Sequence, residues 1–186
     1  METVVLEKRK YTYEDYLKTP EDTRYELING NLIMSPAPRT NHQIILTELF
    51  GELYTFVKRN KLGKVFVSPT DVHFDNETVV EPDILFISKS REKIITEKNI
   101  QGAPDLTIEI VSQSSIHRDM VQKKALYEKF GVKEYWLVYP DEELVEIYEL
   151  KNNKYKHFNT FSKDEALETP IGSGLKGLKI NLKEIF

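Results

Sequence analysis

Apolar and polar positions along this chain follow two alternating periods. Ile45, Leu46, Leu49, Phe50, Leu53, Phe56 and Val57 recur at three- and four-residue spacing, which predicts a long helix capped by Asn41 and running to about Asn60. A second helix is predicted from His117 or Arg118 to Phe130, where Gly131 suits its C-terminal stop. A short helix is expected over Thr12 to Lys18, with Thr12 as cap, Asp15 three positions on and Pro20 beyond its end. Strand periodicity governs the rest. Tyr25 to Ile28 and Asn31 to Met34 flank Asn29-Gly30, a dipeptide that favours a two-residue hairpin because both turn residues need positive φ. Pro36 and Pro38 then interrupt the chain.

Further strands are predicted at Lys64 to Ser68, Asp71 to Asp75, Asp83 to Ser88 and Asp105 to Ser112, with Lys89 to Gln101 as a loop or short helix. Glu134 to Tyr139, Leu144 to Leu150 and Tyr155 to Phe161 read as a meander turning at Asn152-Asn153. Leu178 to Phe186 is expected to give an edge strand and a last helical turn. No internal repeat, low-complexity tract or linker interrupts the series. Residues 1–186 are therefore expected to form one α/β domain around a mixed sheet.

Alternation also sorts the strand residues by face. Asp83, Leu85 and Ile87 share one side, opposite Ile84 and Phe86, while Thr107, Glu109 and Val111 stand opposite Leu106, Ile108 and Ile110. If the two strands are neighbours, Asp83 and Glu109 converge from one side. Two buried carboxylates repel and take up protons unless a cation joins them, so a metal ion is their natural partner. Asp83 after Pro82 is also an ordinary way to begin a strand. A Glu in the middle of Leu106-Thr107-Ile108-Glu109-Ile110-Val111 must be paired or functional.

Composition narrows the chemistry. The 186 residues contain no Cys, which excludes disulfides, thiolate zinc sites and cysteine nucleophiles. Any metal is then held by oxygen or by one of four His, which favours magnesium or manganese. No segment approaches the length of a membrane span and the N-terminus has no apolar signal core, so a cytoplasmic protein that does not bind membranes is expected. A net charge of -4 argues against a non-specific nucleic-acid coat. Basic residues nonetheless gather at Lys58, Arg59, Lys61 and Lys64, and again from His117 and Arg118 through Lys123, Lys124, Lys129 and Lys133. Such runs are more often solvated faces than phosphate grooves.

Within the second helix, Leu126, Phe130, Tyr127 and Met120 gather on one side when residues are spaced at the α-helical angle, and Lys123 falls at the centre of that arc. It either snorkels past Tyr127 to solvent or supplies a charge to Glu109, and Asp119 can pair with it at i,i+4. His42 lies on the core-facing stripe of the long helix, where a lone His is ordinarily a core or capping group. Glu26 is expected to face outward from its hairpin. Gly172-Ser173-Gly174 lacks the strand and capped helix of a phosphate loop, and Ser112, Ser114 and Ser115 lack a nucleophile elbow.

Taken in order, Tyr25-Glu26-Leu27-Ile28-Asn29-Gly30, Met34 to Pro38, His42, Glu81-Pro82-Asp83, Glu109 to Ser112, Asp119 through Lys123 to Tyr127, Gly131 to Val138 and Leu182 to Phe186 resemble the Uma-type putative restriction endonuclease family over almost the whole chain. That family is similar to the PD-(D/E)xK nucleases, and the resemblance implies a restriction-endonuclease-like mixed β-sheet flanked by helices. It implies Asp83 and Glu109 as metal ligands, the Ile110 carbonyl as a third, and Lys123 as a migrated lysine. Val111 stands where a Glu-x-Lys signature has its Lys. Glu26 and His42 match the family's remaining polar positions.

The expected function is a magnesium-dependent endonuclease, with manganese as an alternative ion, hydrolysing phosphodiester bonds in DNA through Glu26, His42, Asp83, Glu109 and Lys123. Nuclease-like folds are also reused for binding, so a catalytically silent dimeric module for nucleic acid or protein is the alternative. A metal-dependent hydrolase of a small phosphorylated substrate is a third. A homodimer is expected, because one nuclease site cuts one strand, and Tyr148, Tyr155 and Phe158 offer an apolar contact on the meander.

Overall fold

A computed structural model describes residues 9–20, 22–113, 115–170 and 172–186. The largest sheet has six strands. β3 (Gly63–Val67), β6 (Ile84–Ser88), β8 (Leu106–Ile110), β9 (Glu134–Tyr139), β10 (Leu144–Lys151) and β11 (Lys154–Ser162) lie in the order β11-β10-β9-β8-β6-β3. Only the β8–β9 pair is parallel, and it needs a crossover. A π-helical segment, Arg118–Lys123, running into α3, Lys124–Phe130, supplies it.

A second sheet is built from β1 (Tyr25–Ile28), β2 (Asn31–Met34), β4 (Val72–Asp75), β5 (Thr78–Val80) and β7 (Ile100–Gln101), ordered β2-β1-β5-β4-β7. The predicted hairpin is present, with Asn29 at φ 50° and Gly30 at φ 77°. The short helix is α1, Tyr13–Tyr16, and the Thr12 amide donates to the Asp15 carboxylate at 3.0 Å. The long helix is α2, Thr40–Asn60.

Both faces of the six-stranded sheet are covered, which is why its central strands are apolar on both sides. On one face, Ile45, Leu49, Leu53 and Val57 of α2 pack on Ile84, Phe86, Leu106, Ile108 and Ile110. On the other, Leu85, Ile87 and Val111 meet Leu126 and Tyr127 together with Val72, Val80 and Ile100 from the second sheet. The predicted division of strand residues between faces therefore holds. The sheet is mixed and flanked by helices, as expected.

Several local expectations differ. Arg39, not Asn41, occupies the cap of α2, because its backbone is extended and Thr40 already begins the helix. β5 has three residues, too few to show a period, and was not expected. The C-terminal strand β13 (Lys179–Asn181) pairs with β12 (Ala166–Glu168) in a two-stranded sheet of its own instead of edging the main one. Met120 is 39% exposed, against the expectation that it shares the buried arc. The wider π turn rotates residues 120 and 121 outward while returning Lys123 to the face of Asp119.

The meander forms with Asn152 and Asn153 at positive φ. Of the three aromatic residues expected to offer a dimer contact, two close the protein's own core. Tyr148 and Tyr155 pack on the second core, the Tyr155 hydroxyl donating to the Val132 carbonyl at 2.9 Å, and Phe158 alone of the three is exposed.

Candidate active site

The strand register puts the two predicted carboxylates face to face. Ile84 pairs with Ile108, so the next step outward sets Asp83 against Glu109 at the open end of β6 and β8. Asp83 Oδ2 accepts a hydrogen bond from the Ile110 amide at 2.8 Å and contacts His42 Nε2 at 3.1 Å. A neutral His42 ring that donates from Nε2 to an ionised Asp83 has Nδ1 as its acceptor. That Nδ1 is buried with no hydrogen-bond partner among the described residues. His42 thus leaves the apolar stripe that was expected for it and turns toward the site from the first turn of α2.

Glu109 is held in the same way. Its Oε1 accepts from Lys123 Nζ at 2.9 Å and from the Tyr127 hydroxyl at 2.6 Å. Burial, against the pull of Lys123 and with the push of Asp119, Asp83 and Glu26, raises its carboxyl well above the ordinary range. Both carboxylates share one feature. All these bonds fall on a single oxygen, Oδ2 of Asp83 and Oε1 of Glu109, so Asp83 Oδ1 and Glu109 Oε2 receive none of them.

Lys123 is 2% exposed and does not snorkel. Its ammonium bridges Glu109 Oε1 and Glu26 Oε1, the latter at 2.8 Å. Burial pulls its pKa down, but Glu109, Glu26 and Asp119 outweigh that and leave it above the ordinary value, so it stays charged. Lys124 is less buried and sits over the Tyr148 ring at 3.3 Å. The expected i,i+4 ion pair between Asp119 and Lys123 does not form among the described residues. Asp119 instead lies 3.8 Å from Arg118 Nε, and burial raises its carboxyl.

Glu26 does not face outward. It is 2% exposed, and its Oε1 also accepts from the Glu81 amide at 3.0 Å. The hairpin belongs to a sheet packed against the main one, so the side expected to meet solvent meets Lys123. Arg24, Glu81, Arg118 and Tyr127 complete this polar cluster and were not expected there. Arg24 Nε pairs with Glu81 Oε2 at 2.9 Å, and burial raises the Glu81 carboxyl. Tyr127 one turn beyond Lys123 was legible as a helix-face neighbour, but its hydroxyl's partner was not.

Glu26, His42, Asp83, Glu109, Ile110 and Lys123 all line one cleft of about 400 Å³. The basic runs divide. Lys58, Lys61 and Lys64 line a separate exposed groove at the far end of α2, whereas Lys123 and Arg118 enter the cleft and Lys133 pairs with Asp105. Ser112 and Ser115 bond to each other within one turn, and Ser114 lies outside the described residues.

A divalent cation suits the donors present. Six carboxylates line the cleft, Glu26, Glu81, Asp83, Glu109, Asp119 and Asp141, against four side-chain cations, Arg24, Arg39, Arg118 and Lys123, leaving an excess of negative charge. Asp83 Oδ1 and Glu109 Oε2 are spared by the hydrogen bonds that hold those two carboxylates in place. The Ile110 amide points at Asp83 just past the last β6–β8 pair, and in an extended strand the same residue's carbonyl points to the same side. No group of three His, Asp or Glu arranged to hold a metal occurs among the described residues.

Residues 13–183 match the Uma2 family, described as "Putative restriction endonuclease". The chain belongs to the Uma2 family. It is also similar to the crystal structure of a putative nuclease belonging to DUF820 from Anabaena variabilis. The two are 26% identical with a TM-score of 0.76, over 94% of this chain and 97% of that one. No curated protein matches the chain. Uma2 membership and this neighbour give the cleft a restriction-endonuclease-like setting, in which divalent metals are generally used. No helix among the described residues is long and apolar enough to cross a membrane.

Proposed function

We propose that this Uma2 protein is a metal-dependent endonuclease that hydrolyses phosphodiester bonds in DNA, acting as a homodimer of single-domain chains, residues 1–186, in the cytoplasm. The observation that carries the proposal is the pairing of Asp83 with Glu109 across neighbouring strands, each with one oxygen left out of its hydrogen bonds. Asp83, Glu109 and the Ile110 carbonyl would hold magnesium, or manganese in its place. The ion, when bound, polarises the scissile phosphate and lowers the pKa of a water.

The chain's own groups do the rest. Lys123 is kept cationic by its carboxylate neighbours and offsets charge developing on the phosphoryl oxygens, a role worth about 3 kcal/mol in comparable sites. His42 orients Asp83. Glu26 holds Lys123 from the side opposite Glu109.

Incubating the protein with plasmid and oligonucleotide DNA tests this directly. Strand scission is expected with magnesium or manganese and none with chelator. The second proposal is a silent binding module, favoured by the direct bridging of Glu26 and Glu109 through Lys123, which already gives both carboxylates a cation. It predicts DNA retention without scission under every metal condition.

A further inference from the structure

Arg118 opens the π-helical segment, and its guanidinium is gripped along one edge. Nε is buried, 3.7 Å from Glu26 Oε2 and 3.8 Å from Asp119 Oδ1. Those two oxygens are themselves buried and have no hydrogen-bond partner among the described residues. They hold Nε by charge from two sides. The side chain is 18% exposed and lines the cleft, and its terminal nitrogens make no hydrogen bond to any described residue. Nor are those nitrogens among the buried unpartnered atoms, so they are open to solvent on a residue that lines the cleft.

We propose that Arg118 is a phosphate-binding residue that takes the backbone of nucleic acid, its terminal nitrogens donating as a fork to the oxygens of a phosphodiester. This rests on the nuclease proposal for the same cleft and adds the anion-binding half of it. A guanidinium is always charged, planar and matched to two oxygens at once, and one fixed at Nε loses little freedom on binding. The cleft's carboxylates repel a free anion. A phosphodiester that also shares a divalent cation with Asp83 and Glu109 escapes that repulsion, so Arg118 acts only when the ion is present.

The test is binding of a short labelled DNA duplex, in calcium and in chelator, by the wild type, R118K and R118Q. R118K keeps a positive charge between Glu26 and Asp119, which guards the fold, while removing the fork. Both variants should bind DNA about tenfold or more weakly in calcium, the loss typical of a charged hydrogen bond. The salt dependence of R118Q, which loses the charge as well as the fork, should fall by about one phosphate contact. The magnesium-dependent rise in melting temperature of both variants should stay as in the wild type, which a purely structural role for Arg118 would not allow. Wild-type affinity in R118Q overturns the inference, as does a wild type that binds no DNA in calcium. Loss of the magnesium-dependent melting shift in R118K also overturns it, because Arg118 would then be supporting the metal site. If the wild type binds duplex through Arg118 but never cleaves it, the nuclease proposal fails and this inference stands.

Discussion

Lys123 reaches Glu109 from a helix, its Nζ 2.9 Å from Oε1, across 14 residues of chain and a change of secondary structure. The segment it lies on is π-helical. It places Asp119 and Lys123 on one buried face and sends Met120 and Val121 to solvent. A lysine two positions after Glu109 on its own strand would occupy Val111, whose side chain instead packs in the second core. Lys123 thus brings its charge to Glu109 from the helix and not from the strand.

Replacing Lys123 tests that role and carries a stability cost. Lys123→Met keeps the stem and removes the ammonium, leaving Glu26 and Glu109 buried together without their shared cation. Breaking a buried pair costs about 3 to 5 kcal/mol before proton uptake relieves it. The variant should melt lower and show no cleavage. Cleavage at the wild-type rate would remove Lys123 from the chemistry.

Tyr127 is the subtler probe. Tyr127→Phe leaves the ring among Phe74 and Tyr135 and deletes only the donor to Glu109 Oε1. Loss of a hydrogen bond to a charged group should lower stability by about 1.5 to 3 kcal/mol. Activity should fall without vanishing, since Lys123 still holds the same oxygen. Chemical denaturation and a rate measurement read the two effects separately.

How much of the site was legible in the sequence follows from how local each signal is. Asp83 and Glu109 could be placed on one side because strand alternation is a local rule, and the register then brought them together. Lys123 could be placed because a charged residue within an apolar arc is conspicuous. Glu26 could not, since its burial depends on one sheet packing against another, and no residue near it in sequence reports that contact. The π turn was equally invisible, because Arg118 to Lys123 carries no Gly or Pro to mark a widened helix. The resemblance to a known family supplied Glu26 and His42, and their neighbours in space explain why those positions are polar.

Another buried carboxylate, away from the cleft, gives a pH dependence with a definite sign. Glu134 accepts from Trp136 Nε1 at 2.7 Å, and burial pushes its pKa from an ordinary 4.5 up to about 7 against Ser173 and Trp136, which pull it down. The folded protein therefore keeps this proton where the unfolded chain has lost it. Glu134 contributes stability that is fully present below about pH 4.5 and lost as pH rises through about 7. The whole span amounts to about 3 kcal/mol at most. Glu134→Gln should flatten the fall in melting temperature across that window. An unchanged pH profile in the variant would assign the dependence to other groups.

The metal prediction separates the enzyme from the silent module. An ion that binds only the folded protein stabilises it by mass action, about 2.7 kcal/mol at a hundredfold excess over its dissociation constant. Magnesium or manganese should therefore raise the melting temperature. Asp83→Asn and Glu109→Gln are suitable controls, because each retains an oxygen to accept the local hydrogen bonds, from the Ile110 amide in one case and from Lys123 and Tyr127 in the other. Each variant should lose the metal-dependent rise. The chelator-treated Asp83→Asn protein should melt no lower than wild type, since one of six clustered carboxylates has been neutralised and repulsion relieved. Identical melting curves for the wild type with magnesium, manganese and chelator would leave Asp83 and Glu109 without an ion to hold, and the nuclease mechanism would fall with them.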